Sequence, residues 1–301
     1  YYTMRLLETA GLPPGVINFL PGDPVAISNV VLDHPNLAGI HFTGSTGVFN
    51  SMWQKVGQNL GKYRGYPRLV GETGGKDFIV VHPSADPQEV AVAAVRGAYE
   101  FQGQKCSACS RAIVDDPLCD AFLEQLSARV AQITVGPSED RANFMGPVIS
   151  EGARRGILNY IDIGRNEGRV VTGGRAAAGD GFFLQPTVIA GVDSKARIFQ
   201  EEIFGPVLAV TRARDFSHAL ELANDAEYGL TGAVYSRNPD VINRARKEFF
   251  VGNLYLNRKC TGAMVGCHPF GGFNMSGTDS KAGGPDYLLQ FLQAKSIAEK
   301  L

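Results

Sequence analysis

The chain has 301 residues, 44% of them hydrophobic and 20% charged, with a formal net charge of −1, a balance that fits one large globular domain or two ordinary ones. It carries no long run of Lys or Arg to bind nucleic acid or an anionic membrane, so the expected ligand is a small molecule. It also has no stretch apolar enough to span a bilayer and no signal-peptide pattern, which points to the cytoplasm.

Residues 1–10 have helical composition and stop at Gly11, with Pro13 and Pro14 beyond. A chain opening at Tyr1 inside such a helix reads as a portion of a longer protein. Short β-branched runs then alternate with amphipathic stretches: a strand at 16–20, a helix from about 24, a strand at 39–43, a helix from about 45 and a strand at 68–71. The alternation resumes with a strand at 77–81, a helix at 86–101, a strand at 111–114 and a helix at 117–133. Further strands are expected at 187–190, 207–212, 232–235 and 252–256, with helices at 216–226 and 239–248 between them. The order implies parallel βαβ units, an α/β fold throughout.

The five cysteines, Cys106, Cys109, Cys119, Cys260 and Cys267, are odd in number and thinly spread, unlike a secreted disulfide framework, so reduced thiols are expected. Cys106 stands in FQGQKCSACSR, on a loop between a helix and a strand. Reactive groups are displayed on such loops, and the neighbouring Lys105 charge or ordered backbone N–H groups favour a thiolate nucleophile. A buried structural cysteine is the rival reading. The C-x-x-C formed with Cys109 suggests thiol–disulfide exchange, but it lies deep in a long α/β chain, and Cys109 is better read as packed inside.

Glu72, in LVGETGGKDF, ends a strand-like run, where a partly desolvated carboxylate opens into a crevice and becomes a general base. A surface Glu in a turn is the plainer alternative. In GIHFTGSTGVF, the small residues Gly44, Ser45, Thr46 and Gly47 lie between a strand and a helix, where backbone N–H groups cradle a pyrophosphate. A simple helix cap explains the same residues equally well.

FTGST, ETGGK, GQKC and EIFGP occur here in the order in which the aldehyde dehydrogenase superfamily carries its corresponding motifs. The separation of Glu72 from Cys106 also matches that between the family's base and nucleophile, and the resemblance runs from GLPPGVINFLPG to PFGGFNMSG. It implies an aldehyde dehydrogenase-like α/β fold, with a partial Rossmann-type cofactor domain over 1–73, a catalytic domain over 74–272 and a C-terminal oligomerisation strand within 273–301. It implies that Cys106 attacks the aldehyde and Glu72 activates the hydrolytic water, with no metal. Gly44 and Ser45 would contact the pyrophosphate, Glu202 the nicotinamide ribose and Phe204 the nicotinamide. The cofactor is NAD, the family's usual choice, with NADP its alternative.

GQKCSACSR, NRKCTGAMVGCHPFGG and SGTDSKAGGPDYLLQF most resemble the branch of the superfamily that oxidises glutamate γ-semialdehyde. Lys105 and Ser107 then suit the substrate's amino-acid head, Gly262 and Ala263 form its anchoring loop, and Phe270 is an aromatic wall. Ala263 stands where some relatives have serine, so its backbone N–H serves alone. Family members also carry an N-terminal segment absent here, including an asparagine of the oxyanion hole, a donor worth about 3 kcal/mol. The chain alone is therefore expected to be nearly inactive, and the complete protein to be a homo-oligomer. The competing functions are an aldehyde dehydrogenase of other specificity, such as one acting on succinate semialdehyde, and a non-catalytic relative.

Overall fold

The computed structural model describes residues 1–264 and 266–300. They form two compact units, one of residues 1–40 with 47–69 and one of residues 41–46 with 70–264 and 266–300. In the first, helix α1 (Tyr2–Thr9) buries none of its residues, and α2 (Pro24–Asp33) starts at Asp23, whose side chain accepts from the Ala26 N–H at 2.7 Å. Strand β1 (Gly39–Thr43) leads into α3 (Thr46–Gln58), and β2 (Arg68–Glu72) pairs with β1. Asn59 ties this unit together by donating to the Leu32 carbonyl at 3.1 Å. Residues 16–20, expected as a strand, form none. Val16, Ile17, Phe19 and Leu20 are exposed, so the β-branched composition finds no ladder to join.

The second unit is built on β3 (Asp77–Val81), α4 (Pro87–Tyr99), β4 (Cys109–Asp115), α5 (Asp116–Val130), α6 (Glu151–Glu167), β5 (Arg169–Thr172) and β6 (Thr187–Ala190). It continues with α7 (Arg197–Gln200), β7 (Val207–Ala213), α8 (Phe216–Asn224), β8 (Tyr228–Gly229), β9 (Thr231–Tyr235), α9 (Pro239–Glu248), β10 (Asn253–Leu256) and β11 (Phe273–Asn274). Seven strands form one sheet in the order β10-β9-β3-β4-β7-β6-β5, parallel except for β5 against β6. Every residue of β3 is buried, as expected of a strand covered on both faces. Phe78 and Val80 pack into one core cluster with Ile157, Ile161, Ala219 and Ala245, from α6, α8 and α9. Ile79 and Val81 point the other way, into a cluster with Val90, Ala94, Phe122 and Leu126 from α4 and α5. The α/β reading is correct, and the sheet lies between two helical layers.

Five elements, α6, β5, α7, β8 and β11, were not expected from the sequence. Helix α6 is rich in Gly and Arg and buries only Ile157, Ile161 and Gly164, while β5 is a short antiparallel edge strand with no buried residue. Residues 291–300, the expected terminal strand, join no ladder within the chain: Phe291 ends a short 3-10 turn and 292–300 have no regular structure.

A wholly buried cation crosses the middle of this unit. Arg111, on β4, donates from Nε to the Lys76 carbonyl at 2.8 Å and from its two terminal nitrogens to the Leu222 and Ala223 carbonyls at 3.2 and 3.1 Å. Its guanidinium also lies over the Phe199 ring at 4.9 Å. The entrance to β3 and the end of α8 are thereby fastened to one side chain.

Candidate active site

Cys106 lies between α4 and β4, after an unusual backbone passage. Phe101, Gln102 and Gly103 all have left-handed φ, at 55°, 59° and 67°. Non-glycine residues adopt that conformation only when their surroundings impose it. Gly103 is required there, because a Cβ would sit 2.3 Å from the Gly205 carbonyl oxygen. The kink turns the chain out of α4 and presents a half-buried Cys106 to a cavity of about 730 Å³, a size typical of small-ligand sites.

That cavity brings together most of the residues expected from the sequence. Gly44, Ser45, Lys105, Cys106, Ser107, Glu202, Phe204, Gly262, Ala263 and Phe270 all line it. Thr46, Gly47 and Glu72 do not. The Thr46 hydroxyl accepts from the Gly74 N–H at 3.2 Å, and the Gly44 N–H is taken up by the Glu72 carbonyl at 3.1 Å. Thr43, Thr73, Gly74, Gln104 and Thr261 line the cavity without having been singled out. Gln104 stands within GQKC and Thr261 adjoins the anchoring loop, but no chemistry in their type marks them.

Glu72 sits at the carboxyl end of β2, where segment 275–278 folds onto it. Thr73 donates its N–H to the Ser276 carbonyl at 3.0 Å and its hydroxyl to the Met275 carbonyl at 2.6 Å, and Glu72 bridges Gly277. Only 8% of Glu72 is exposed, and neither carboxylate oxygen has a partner among the described residues. Burial pushes its carboxyl up to about 8, with Lys281 opposing the rise and Asp279 adding to it. Such a group exchanges protons near neutral pH. The sequence reading passed over Lys281, which donates to the Gly252 carbonyl at 3.1 Å and ion-pairs Asp279 at 2.7 Å.

The Cys106 thiol is pushed up to about 12, first by burial and then by the Asp77, Glu202 and Glu72 carboxylates, while the Ser107 N–H works the other way. The sequence reading gave no role to Asp77 or to Lys76, the last residue of ETGGK, both buried behind the nucleophile, although two charges at the head of an apolar strand were the available signal. Asp77 Oδ1 accepts from the Thr231 N–H at 2.6 Å and hydroxyl at 2.9 Å. Lys76 Nζ has no hydrogen-bond partner among the described residues, and burial with the Arg111 charge brings its ammonium down to about 7.

Gly75 holds this arrangement at its tightest point. A Cβ there would lie 2.1 Å from the Cys106 carbonyl oxygen and 2.5 Å from Asp77 Oδ2. Gly75→Ala is expected to displace the nucleophile loop and to lower stability by about 2 kcal/mol, read by urea unfolding. A variant as stable as the parent would contradict the packing described.

The far side of the cavity suits a nicotinamide nucleoside. Glu202 Oε1 accepts from the Gly75 N–H at 3.0 Å, and a Cβ on Gly74 would reach within 2.8 Å of Glu202 Oε2. A carboxylate there is available to a ribose diol. Phe204, at a φ of 56°, keeps a half-exposed ring against the same space as a wall for a flat heterocycle. At the other end, the Ser107 hydroxyl meets that of Thr261 at 2.8 Å, so the nucleophile loop and the 261–263 loop are joined. Among the described residues there is no cluster of three metal-ligating side chains and no helix long and apolar enough to cross a membrane. All described cysteines are free thiols, and Cys109 is buried as expected.

The chain matches the model of the aldehyde dehydrogenase family over residues 1–297, and it belongs to that family. It is 52% identical over 299 residues to 1-pyrroline-5-carboxylate dehydrogenase of Geobacillus sp. (strain WCH70), covering 99% of this chain and 58% of the relative. The enzyme of that name from Bacillus subtilis (strain 168) is 47% identical over 296 residues, covering 98% and 58%. A crystal structure of 1-pyrroline-5-carboxylate dehydrogenase from Thermus with bound NAD superposes with a TM-score of 0.97 at 47% identity, covering all of this chain and 58% of that one. The chain thus spans 58% of the length of these relatives.

Proposed function

We propose that this chain carries the nucleophile and the general base of an NAD-dependent dehydrogenase that oxidises glutamate γ-semialdehyde, the open form of 1-pyrroline-5-carboxylate, to glutamate in proline catabolism. The observation that carries the reading is the unpartnered, buried Glu72 carboxylate, poised at about 8 and near enough for its charge to raise the Cys106 thiol, which lines the cavity. The similarity to 1-pyrroline-5-carboxylate dehydrogenases supports the substrate. Residues 74–272 would be the catalytic portion and 1–73 part of the cofactor domain, with the C-terminal segment serving assembly into a homo-oligomer in the cytoplasm.

In this reading Cys106 gives its proton to solvent water and its sulfur attacks the aldehyde carbon, the C=O pair moving onto the former carbonyl oxygen as negative charge. The Ser107 N–H stabilises the sulfur anion before attack. Glu202 and Phe204 hold NAD, which when bound accepts the hydride that turns the thiohemiacetal into a thioester. Glu72 then takes a proton from a water, the hydroxide adds to the thioester carbon, and the C–S bond breaks to release carboxylate and thiolate. At the other end, Lys105 and the 262–263 backbone receive the substrate's carboxylate.

NADH formation by the protein that carries this chain tests the proposal. Turnover on glutamate γ-semialdehyde is expected to exceed that on succinate semialdehyde, which lacks the amino group, by at least about tenfold in kcat/KM. Equal rates would defeat the substrate assignment, and no turnover on any aldehyde would defeat the dehydrogenase reading.

A further inference from the structure

Lys105 does not stand alone at the substrate end of the cavity. Its ammonium donates to Glu100 Oε2 at 3.2 Å, and the ammonium of Lys259 donates to the same oxygen at 2.6 Å. Arg96 approaches Glu100 Oε1 at 4.0 Å from a more exposed position. Burial works against the Glu100 charge, but the bonds from Lys259 and Lys105 hold its carboxyl below the ordinary value. Glu100 is therefore an anion shared by two lysines, and the shorter bond goes to Lys259.

The chain delivers these groups from three places. Glu100 follows α4, Lys105 precedes the nucleophile, and Lys259 belongs to the loop after β10 that continues into Thr261 and Gly262. The Lys259 stem runs under that loop, since a Cβ on Gly262 would lie 3.3 Å from Lys259 Cε. Arg258 fixes the same loop by donating to the Thr261 and Gly262 carbonyls at 3.1 and 3.0 Å. Lys105 lines the cavity, whereas Lys259 and Glu100 do not.

If Glu100 and Lys105 formed a pair by themselves, their charges would cancel and the cavity would offer little to an anion. With Lys259 on the same oxygen, the three groups carry one net positive charge, and Lys105 is the member that faces the cavity. We infer that Lys259 is a positioning residue that sets the specificity of this site for aldehydes bearing a carboxylate, by occupying Glu100 and leaving the Lys105 charge to the substrate. The inference rests on the dehydrogenase reading above.

Two alkylating reagents of nearly equal shape report the charge beside Cys106: iodoacetate is an anion and iodoacetamide is neutral. The ratio of their rate constants at Cys106 is measured in the whole chain. Lys259→Met is expected to lower the ratio about fivefold, as Glu100 captures Lys105, and Lys259→Arg to leave it within about twofold of the parent. Adding Glu100→Gln to Lys259→Met is expected to restore the ratio, a rescue that a merely structural role would not give. A ratio unmoved by Lys259→Met, or a double variant as low as the single one, overturns the inference. Misfolding would show as iodoacetamide labelling of the buried Cys109, Cys119 and Cys260, in which case Lys259→Gln takes the place of the Met variant with the same expectations. Should Cys106 react with neither reagent in the folded parent, the dehydrogenase reading falls and the inference with it; a reactive Cys106 indifferent to Lys259 removes the inference alone.

Discussion

Cys106→Ala is expected to abolish aldehyde oxidation, lowering kcat by at least about 10⁴-fold, while leaving the NAD dissociation constant within about threefold of the parent. The sulfur is the only protein atom in the proposed sequence that bonds to substrate carbon, so no other side chain at the site replaces it. Cys109 is buried at 1% exposure and Cys260 at 0%, and neither is available as a substitute nucleophile. Cofactor binding should survive, because Glu202 and Phe204 hold the other end of the cavity and a Cys-to-Ala change removes one atom. Stopped-flow NADH formation and a cofactor titration check the two halves. A variant that retains turnover within about tenfold of the parent would sink the assignment of the nucleophile.

Glu72→Gln is expected to have two opposite effects. Without a base, thioester hydrolysis slows by about 10²–10⁴-fold, and mass spectrometry should find an acyl group accumulating on Cys106. The pH dependence should change as well: the parent's hydrolysis rises with pH through about 8 as Glu72 ionises, and that limb disappears in the variant. Stability should move the other way. The folded chain keeps the Glu72 proton up to about 8, whereas the unfolded chain releases it near the ordinary 4.5. Across that window the folded state binds the extra proton, so stability from this group is full below the lower value, declines as pH climbs and levels off above the upper one. Glutamine carries no such penalty. Its Tm at pH 9 is expected to exceed the parent's by at least about 2 °C, with a smaller difference at pH 5. Equal gains at both pH values would mean that the buried charge is not the cause.

The sequence foretold the main strands closely because their patterns are local. The run DFIVV at 77–81 and the strands at 39–43 and 187–190 have the observed bounds. Residues 16–20 have the same composition but no neighbouring strand, and a strand needs one. Helix α6 was obscured by its glycines, although Ile157 and Ile161 stand one turn apart and both are buried. At the site, the motifs marked the cavity's walls because the chemistry needs particular residue types at fixed spacing. They gave no role to Lys76 and said nothing of Asp77 or Glu100, whose importance arises from what the fold brings beside them. Lys105 was read as a lone cation because Lys259 is distant in sequence and only the loop after β10 brings the two onto one carboxylate oxygen.

Arg111 bears on how this unit comes apart. Its guanidinium cannot shed its charge at any ordinary pH, so releasing one of the three carbonyls it holds leaves buried donors without acceptors. Fraying at the end of α8 is thereby coupled to opening at the head of β3. The segment carrying Gly75 and Asp77, against which the nucleophile loop rests, therefore belongs to a cooperative block with the centre of the sheet rather than to the low-stability fringe where loops usually lie. The reactive loop gains its rigidity from a cation that never meets the substrate.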